Sequence, residues 1–135
     1  MTIDDSKHDP DYFVKWYLDE NGNPQEGTFD LGDDHYGRWF SWSPDRELNP
    51  QYADRPDVEK LGFNILHKKG PNDNRGAYRD SAWCCGGVTL NVPGSEHFPG
   101  PKWELRSIEP LHIEPSVACG CGDHGWIRDG KWVKA

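Results

Sequence analysis

Aliphatic residues are scarce in this chain. Only 34% of its 135 residues are hydrophobic, and it has a single Met. A large aliphatic core is therefore excluded, and a core this thin calls for a staple, either disulfides or a metal. Long apolar runs are also missing. None approaches the ~18 residues that a membrane span needs, so no membrane helix is expected. The first residues, Met1-Thr2-Ile3-Asp4-Asp5-Ser6, are polar and acidic, with no apolar run behind them. That pattern lacks a secretory leader, and the chain reads as a cytoplasmic one. Basic residues are outnumbered, 15 against 23 acidic, for a net charge of −8. Such a surface repels phosphate backbones and anionic membranes, which argues against nucleic acid and lipid as partners.

Familiar catalytic signatures are absent as well. There is no H-E-x-x-H pair, no G-x-S-x-G elbow and no phosphate-binding Gly-Lys-Ser/Thr loop. The stretch Gly120-x-Gly122-x-x-Gly125 matches dinucleotide-binding glycines in spacing alone. It lacks the helix and the distant acidic residue that the motif requires.

What the chain has instead is aromatic weight and turns. Seven Trp, five Tyr and five Phe must supply most of the core. Fifteen Gly and eleven Pro imply many turns and short strands. The expected fold is mainly β: small antiparallel sheets and hairpins with long loops, stapled by a zinc site. Residues 1–11 read as a flexible arm and 12–135 as one β-rich domain, whose C-terminal half, about 80–135, carries the metal.

Alternation or apolar character predicts strands over 12–18, 27–31, 36–42, 61–67, 88–92, 103–108 and 111–114, the last stopped by Pro115. Residues 43–59 read as a long loop with one helical turn. Asp129-Gly130 between 126–128 and 131–133 is a strong two-residue hairpin signal.

Cysteines occur at 84, 85, 119 and 121. In a reducing compartment they read as metal ligands before disulfides. The second cluster runs Cys119-Gly120-Cys121-Gly122-Asp123-His124, with two residues between Cys121 and His124. Interleaved glycines let such a turn curl its sulfurs and imidazole inward. The candidate ligands are Cys84, Cys85, Cys119, Cys121 and His124, with His112 in reserve and His97 behind it. Adjacent residues of an extended strand point to opposite faces, so one of Cys84 and Cys85 is expected to ligate unless the turn is unusual. Zinc suits this sulfur and nitrogen mixture. The competing readings are small buried hydrophobes or a disulfide between the clusters. His8 and His35 read as bystanders.

From residue 80 onward the chain resembles a family of small bacterial and bacteriophage proteins of unknown function, regarded as metal-binding. The matching pieces are Cys84-Cys85-Gly86-Gly87, Leu90-Asn91, Trp103-Glu104-Leu105, Leu111-His112, Pro115-Ser116-Val117, Cys121, His124 and Trp126-Ile127-Arg128-Asp129-Gly130. The resemblance covers about residues 80–135 and is most specific from Pro115 onward. The first cluster departs from the pattern, being compressed to two adjacent cysteines. The resemblance implies metal binding and a phage origin, but no reaction.

The functional expectation is a small acidic zinc protein without catalytic residues, acting by binding a protein partner from phage or host. It would be a virion component or an inhibitor of a host system. The alternative is a zinc-dependent hydrolase, in which Glu104, Glu109, Glu114 or Asp123 would serve as base. That alternative needs an open coordination position beside a carboxylate.

Overall fold

A computed structural model describes residues 9–72, Tyr78 and 80–135. The fold is mainly β, as the composition implies. Eight strands form two four-stranded antiparallel sheets in simple chain order. The first sheet holds β1 (Phe29–Gly32), β2 (His35–Trp42), β3 (Val58–Lys68) and β4 (Trp83–Thr89). The second holds β5 (Glu104–Ile108), β6 (Leu111–Ala118), β7 (His124–Arg128) and β8 (Lys131–Lys134). The two meet along one edge, where Leu90 and Trp103 form a parallel bridge.

One core lies between the sheets. Leu31, Phe63, Ile65, Val88 and Leu90 come from the first half, and Leu111, Ile113, Ile127 and Trp132 from the second. Strand register explains the selection. Trp39, Phe63 and Val88 stand opposite one another across β2, β3 and β4. Leu105, Ile113, Ile127 and Trp132 do the same across β5 to β8. With period-two alternation these rows share one face of each sheet.

The back of the first sheet carries a second, smaller core of Phe13, Tyr17, Leu18 and Leu66. Here the expected strand over 12–18 is instead a 3-10 helix, Tyr12–Trp16. Phe13 within this helix and Tyr17, its C-cap residue, both pack with Leu66, while Tyr12 and Trp16 face solvent. The alternating pattern of this segment belonged to a turn that buries one side.

Other boundaries moved for local reasons. The expected 88–92 strand lies mostly earlier, as β4. Strand β6 does not stop at Pro115 but continues to Ala118, with its pairing to β7 irregular between Ile113 and Val117. A proline fits there because an irregular position asks no ladder hydrogen bond of it. The Asp129-Gly130 hairpin forms as expected, with φ of 53° and 72° at its two central residues. The expected arm falls largely on residues 1–8, outside the described residues.

Candidate metal centre

The site is assembled from both sheets. Residues His35, His67 and Cys84 form one row across β2, β3 and β4. They lie on the same face as Ile65 and Phe63, at the end of an apolar stripe. Facing them is the turn between β6 and β7, which carries Cys119 and Cys121. The ligand atoms of His67, Cys84, Cys119 and Cys121 all lie within 4.8 Å of one another. This group could hold a metal ion. Cys84 Sγ is 3.6 Å from Cys119 Sγ, and Cys121 Sγ is 3.5 Å from His67 Nε2.

Local backbone chemistry shapes the turn. The Gly122 amide donates to the Cys119 carbonyl at 2.9 Å, and the Cys119 amide donates to the Asp123 carbonyl at 2.8 Å. Gly122 sits at φ +97°, where a side chain would be strained. The segment after β3 closes over the turn. Asn72 donates its amide to the Cys121 carbonyl at 2.7 Å, and the Gly70 amide points at Cys121 Sγ from 3.4 Å. A Cβ on Gly70 would come within 2.4 Å of the Asp123 nitrogen, so only glycine permits this approach.

These amides also set the charge of the sulfur. Burial pushes the Cys121 thiol up, but the Gly70 and Asp123 amides, with the Cys119 and Cys84 thiols, bring it below its ordinary value. A thiol poised to lose its proton is the form a metal requires. His67 is prepared in a similar way. Its Nδ1 donates to the Ile65 carbonyl at 3.2 Å, which leaves Nε2, the nitrogen facing the sulfurs, to accept.

Asp123 brings a carboxylate beside the cluster, 4.0 Å from His67 Nε2. It is engaged by His35, whose Nε2 lies 2.6 Å from Asp123 Oδ2. The His35 ring also stacks on Trp132 with centroids 4.1 Å apart. His35, read from sequence as a bystander, is therefore buried next to the centre.

Of the candidate ligands, the structure brings Cys84, Cys119 and Cys121 together and places Cys85, His124 and His112 elsewhere. Cys85 faces the back core, opposite Leu66 in register, and its Sγ is 3.1 Å from the Tyr17 hydroxyl. Adjacent strand residues diverge, as alternation requires. His124 is the first residue of β7 and pairs with Ala118, so strand geometry already governs it. Its exposed ring accompanies Ser116 Oγ at 3.0 Å. His112 lies beside Glu114, 2.8 Å away, and Arg128 shares that carboxylate at 3.0 Å. These two partners hold Glu114 below the usual carboxylate range. Glu104 accepts from Asn91 at 3.0 Å. His97 lies beside Glu96 in the loop before β5.

The candidate ligand that sequence reading missed is His67. A signal for it existed: Leu61, Phe63, Ile65 and His67 share one strand face, and a histidine ending an apolar stripe is a buried imidazole in search of a partner. Comparison of the chain with protein-family models, curated proteins and solved structures gives no match.

Proposed function

We propose that the protein is a small zinc-clamped binding module in which the metal joins the two sheets and does no hydrolysis. The carrying observation is the spacing of the ligand atoms. With metal–sulfur bonds of about 2.3 Å and metal–nitrogen bonds of about 2.0 Å, a tetrahedron has edges of about 3.8 Å between sulfurs and about 3.5 Å between sulfur and nitrogen. Cys84 Sγ and Cys119 Sγ are 3.6 Å apart and Cys121 Sγ and His67 Nε2 are 3.5 Å apart, close to these edges, and all four ligand atoms lie within 4.8 Å of one another. Three sulfurs with one imidazole favour zinc over magnesium or calcium.

Four protein ligands complete a tetrahedron and leave no position for a catalytic water. The carboxylate beside them, Asp123, is occupied by His35. Both points favour a binding module over a hydrolase. Its contact surface would include Tyr12 and Trp16, which are 47% and 61% exposed and pack edge to face at 5.8 Å. Exposed aromatics of this kind anchor protein interfaces. On this reading the partner is a protein of a phage particle or of a bacterial host system, the settings that the family resemblance implies. Among the described residues, no helix is long and apolar enough to cross a membrane.

Elemental analysis of untagged protein tests the reading. About one zinc per chain is expected, lost in Cys121→Ala and retained in Cys85→Ala. A folded chain without metal would end it. A zinc-dependent hydrolysis abolished by Asp123→Asn would move the protein to the hydrolase class.

A further inference from the structure

A cavity of about 260 Å³ lies between the sheets, directly against the cluster. Ile65, Val88, Trp103, Val117 and Trp132 give it apolar walls. Its rim includes Gly87, Ala118 and Gly120, all exposed, so the space reaches the surface. Cys119 lines this cavity, whereas Cys84 and Cys121 do not. Burial agrees: Cys84 and Cys121 are 0% exposed, while Cys119 is half-buried.

Gly86 explains why the sulfur is reachable. It lies on the inner face of β4, two residues from Cys84, and pairs with Ile65. A Cβ built on it would first meet Cys119 Sγ, at 3.8 Å. The missing side chain thus leaves open the space over that sulfur.

We propose that Cys119 is the reactive ligand of the centre, a zinc-bound thiolate that accepts an alkyl group from a small, soft carbon electrophile held in the cavity. The proposal rests on the zinc reading. Metal coordination keeps a thiol deprotonated at neutral pH, and the thiolate is the nucleophilic form. Three thiolates and a neutral imidazole give a zinc centre a net negative charge, which favours attack by sulfur. The apolar walls admit alkyl or aryl groups, and His67 and Asp123 line the same space on the side of the cluster. In the step itself, Cys119 Sγ attacks a saturated carbon. The sulfur–carbon bond forms as the bond to the leaving group breaks, and the leaving group departs with the electron pair. No oxidant and no proton is needed. The product is a neutral thioether, a weaker zinc ligand, so alkylation loosens the link between the sheets. The protein would act once per chain, as an acceptor or sensor of alkylating compounds.

The test uses the zinc-loaded full chain, limiting iodoacetamide, peptide mapping by mass spectrometry and a chromogenic chelator to follow zinc. The first label is expected on Cys119, with zinc released in step. Gly86→Val, which covers the sulfur while leaving every ligand in place, should slow that labelling by about tenfold or more, equivalent to ~1.4 kcal/mol in the barrier. Val117→Phe fills the cavity from the opposite wall and should act alike should the first variant fold poorly. First labelling of Cys85, equal labelling of Cys84, Cys119 and Cys121, or an unchanged rate in both variants with zinc bound would overturn the proposal. Protein purified without zinc would instead bring down the zinc reading, and zinc content separates the two failures.

Discussion

His35 Nε2 lies 2.6 Å from the Asp123 carboxylate, while His35 Nδ1 lies 2.5 Å from the Asp33 carbonyl. One imidazole thus ties the β1–β2 turn of the first sheet to the cysteine turn of the second. Asp33 and Asp34 make this possible by adopting φ of 53° and 55°, the tight-turn geometry that aspartate tolerates. The pair flanks the candidate metal cluster without joining it, and it ties down the turn that carries Cys119 and Cys121.

Replacing His35 or Asp123 by Ala should therefore weaken zinc binding while keeping its stoichiometry. Outer-sphere partners of metal ligands are worth about 10–100-fold in affinity. Competition with a chelator of known affinity measures this. Wild-type affinity in both variants would show that the bridge is not part of the centre.

A sharper comparison sets His67→Ala against His124→Ala. A structural zinc contributes on the order of 10 kcal/mol to folding in small domains, against about 5–15 kcal/mol of total stability. Loss of His67 should lower the melting temperature by about 10 °C or more and abolish the effect of chelator. His124→Ala should melt within a few degrees of wild type and remain chelator-sensitive. The reverse outcome would restore the Cys121-x-x-His124 arrangement suggested by sequence.

Chelation should also destabilise both halves together. The sequence reading places the metal in the C-terminal half, about residues 80–135, which would leave the first sheet largely independent of it. Its inner face, however, shares one core with the second sheet, and two of the four candidate ligands, His67 and Cys84, belong to it. A single transition by tryptophan fluorescence and far-ultraviolet circular dichroism is expected with chelator present. Two separated transitions would indicate independent halves.

Alkaline stability should report on Tyr17. Burial raises its phenol well above the ordinary range, and Cys85 adds to the rise. The folded chain therefore holds this proton at pH values where the unfolded phenol, near pKa ~10, gives it up. The contribution is complete below about pH 10 and is lost as pH rises toward the folded value. Tyr17→Phe should cost about 1 kcal/mol at neutral pH through the lost contact to Cys85. It should also flatten the alkaline decline seen in urea unfolding between pH 9 and 11. An equally steep decline in the variant would assign the effect to other groups.

Much of the fold was legible because strands with one buried face advertise it. The hairpin at Asp129-Gly130, the stripe of β2, and β5 follow from alternation and turn chemistry, whereas β3, buried on both faces, shows as a short apolar run. The segment 12–18 misled because a short 3-10 turn with large aromatics on both sides mimics a strand. At the site, alternation separated Cys84 from Cys85 in principle, but nothing local indicated which of them faced inward. His67 was hidden because its partners stand 17 or more positions away along the chain and meet it only through strand register and sheet packing. His124 looked suitable because Cys-x-x-His spacing fits a turn. It was lost to β7, whose pairing begins one residue too early for it.

The ligand set also has a mechanical consequence. Cys84 and Cys119 are 35 positions apart, and His67 and Cys121 are 54 apart. A metal bound by all four closes these stretches into nested rings, which reduces the freedom of the unfolded chain much as a cross-link does. Under tension applied at the two termini, force would pass from His67 to Cys121 through the metal and bypass everything between. Strands β1, β2, β7 and β8 would peel away first. Strand β4, the 90–103 connection, β5 and β6 would carry no load until a metal–ligand bond broke, so the extension released before that rupture would be short by the length of the 54-position ring.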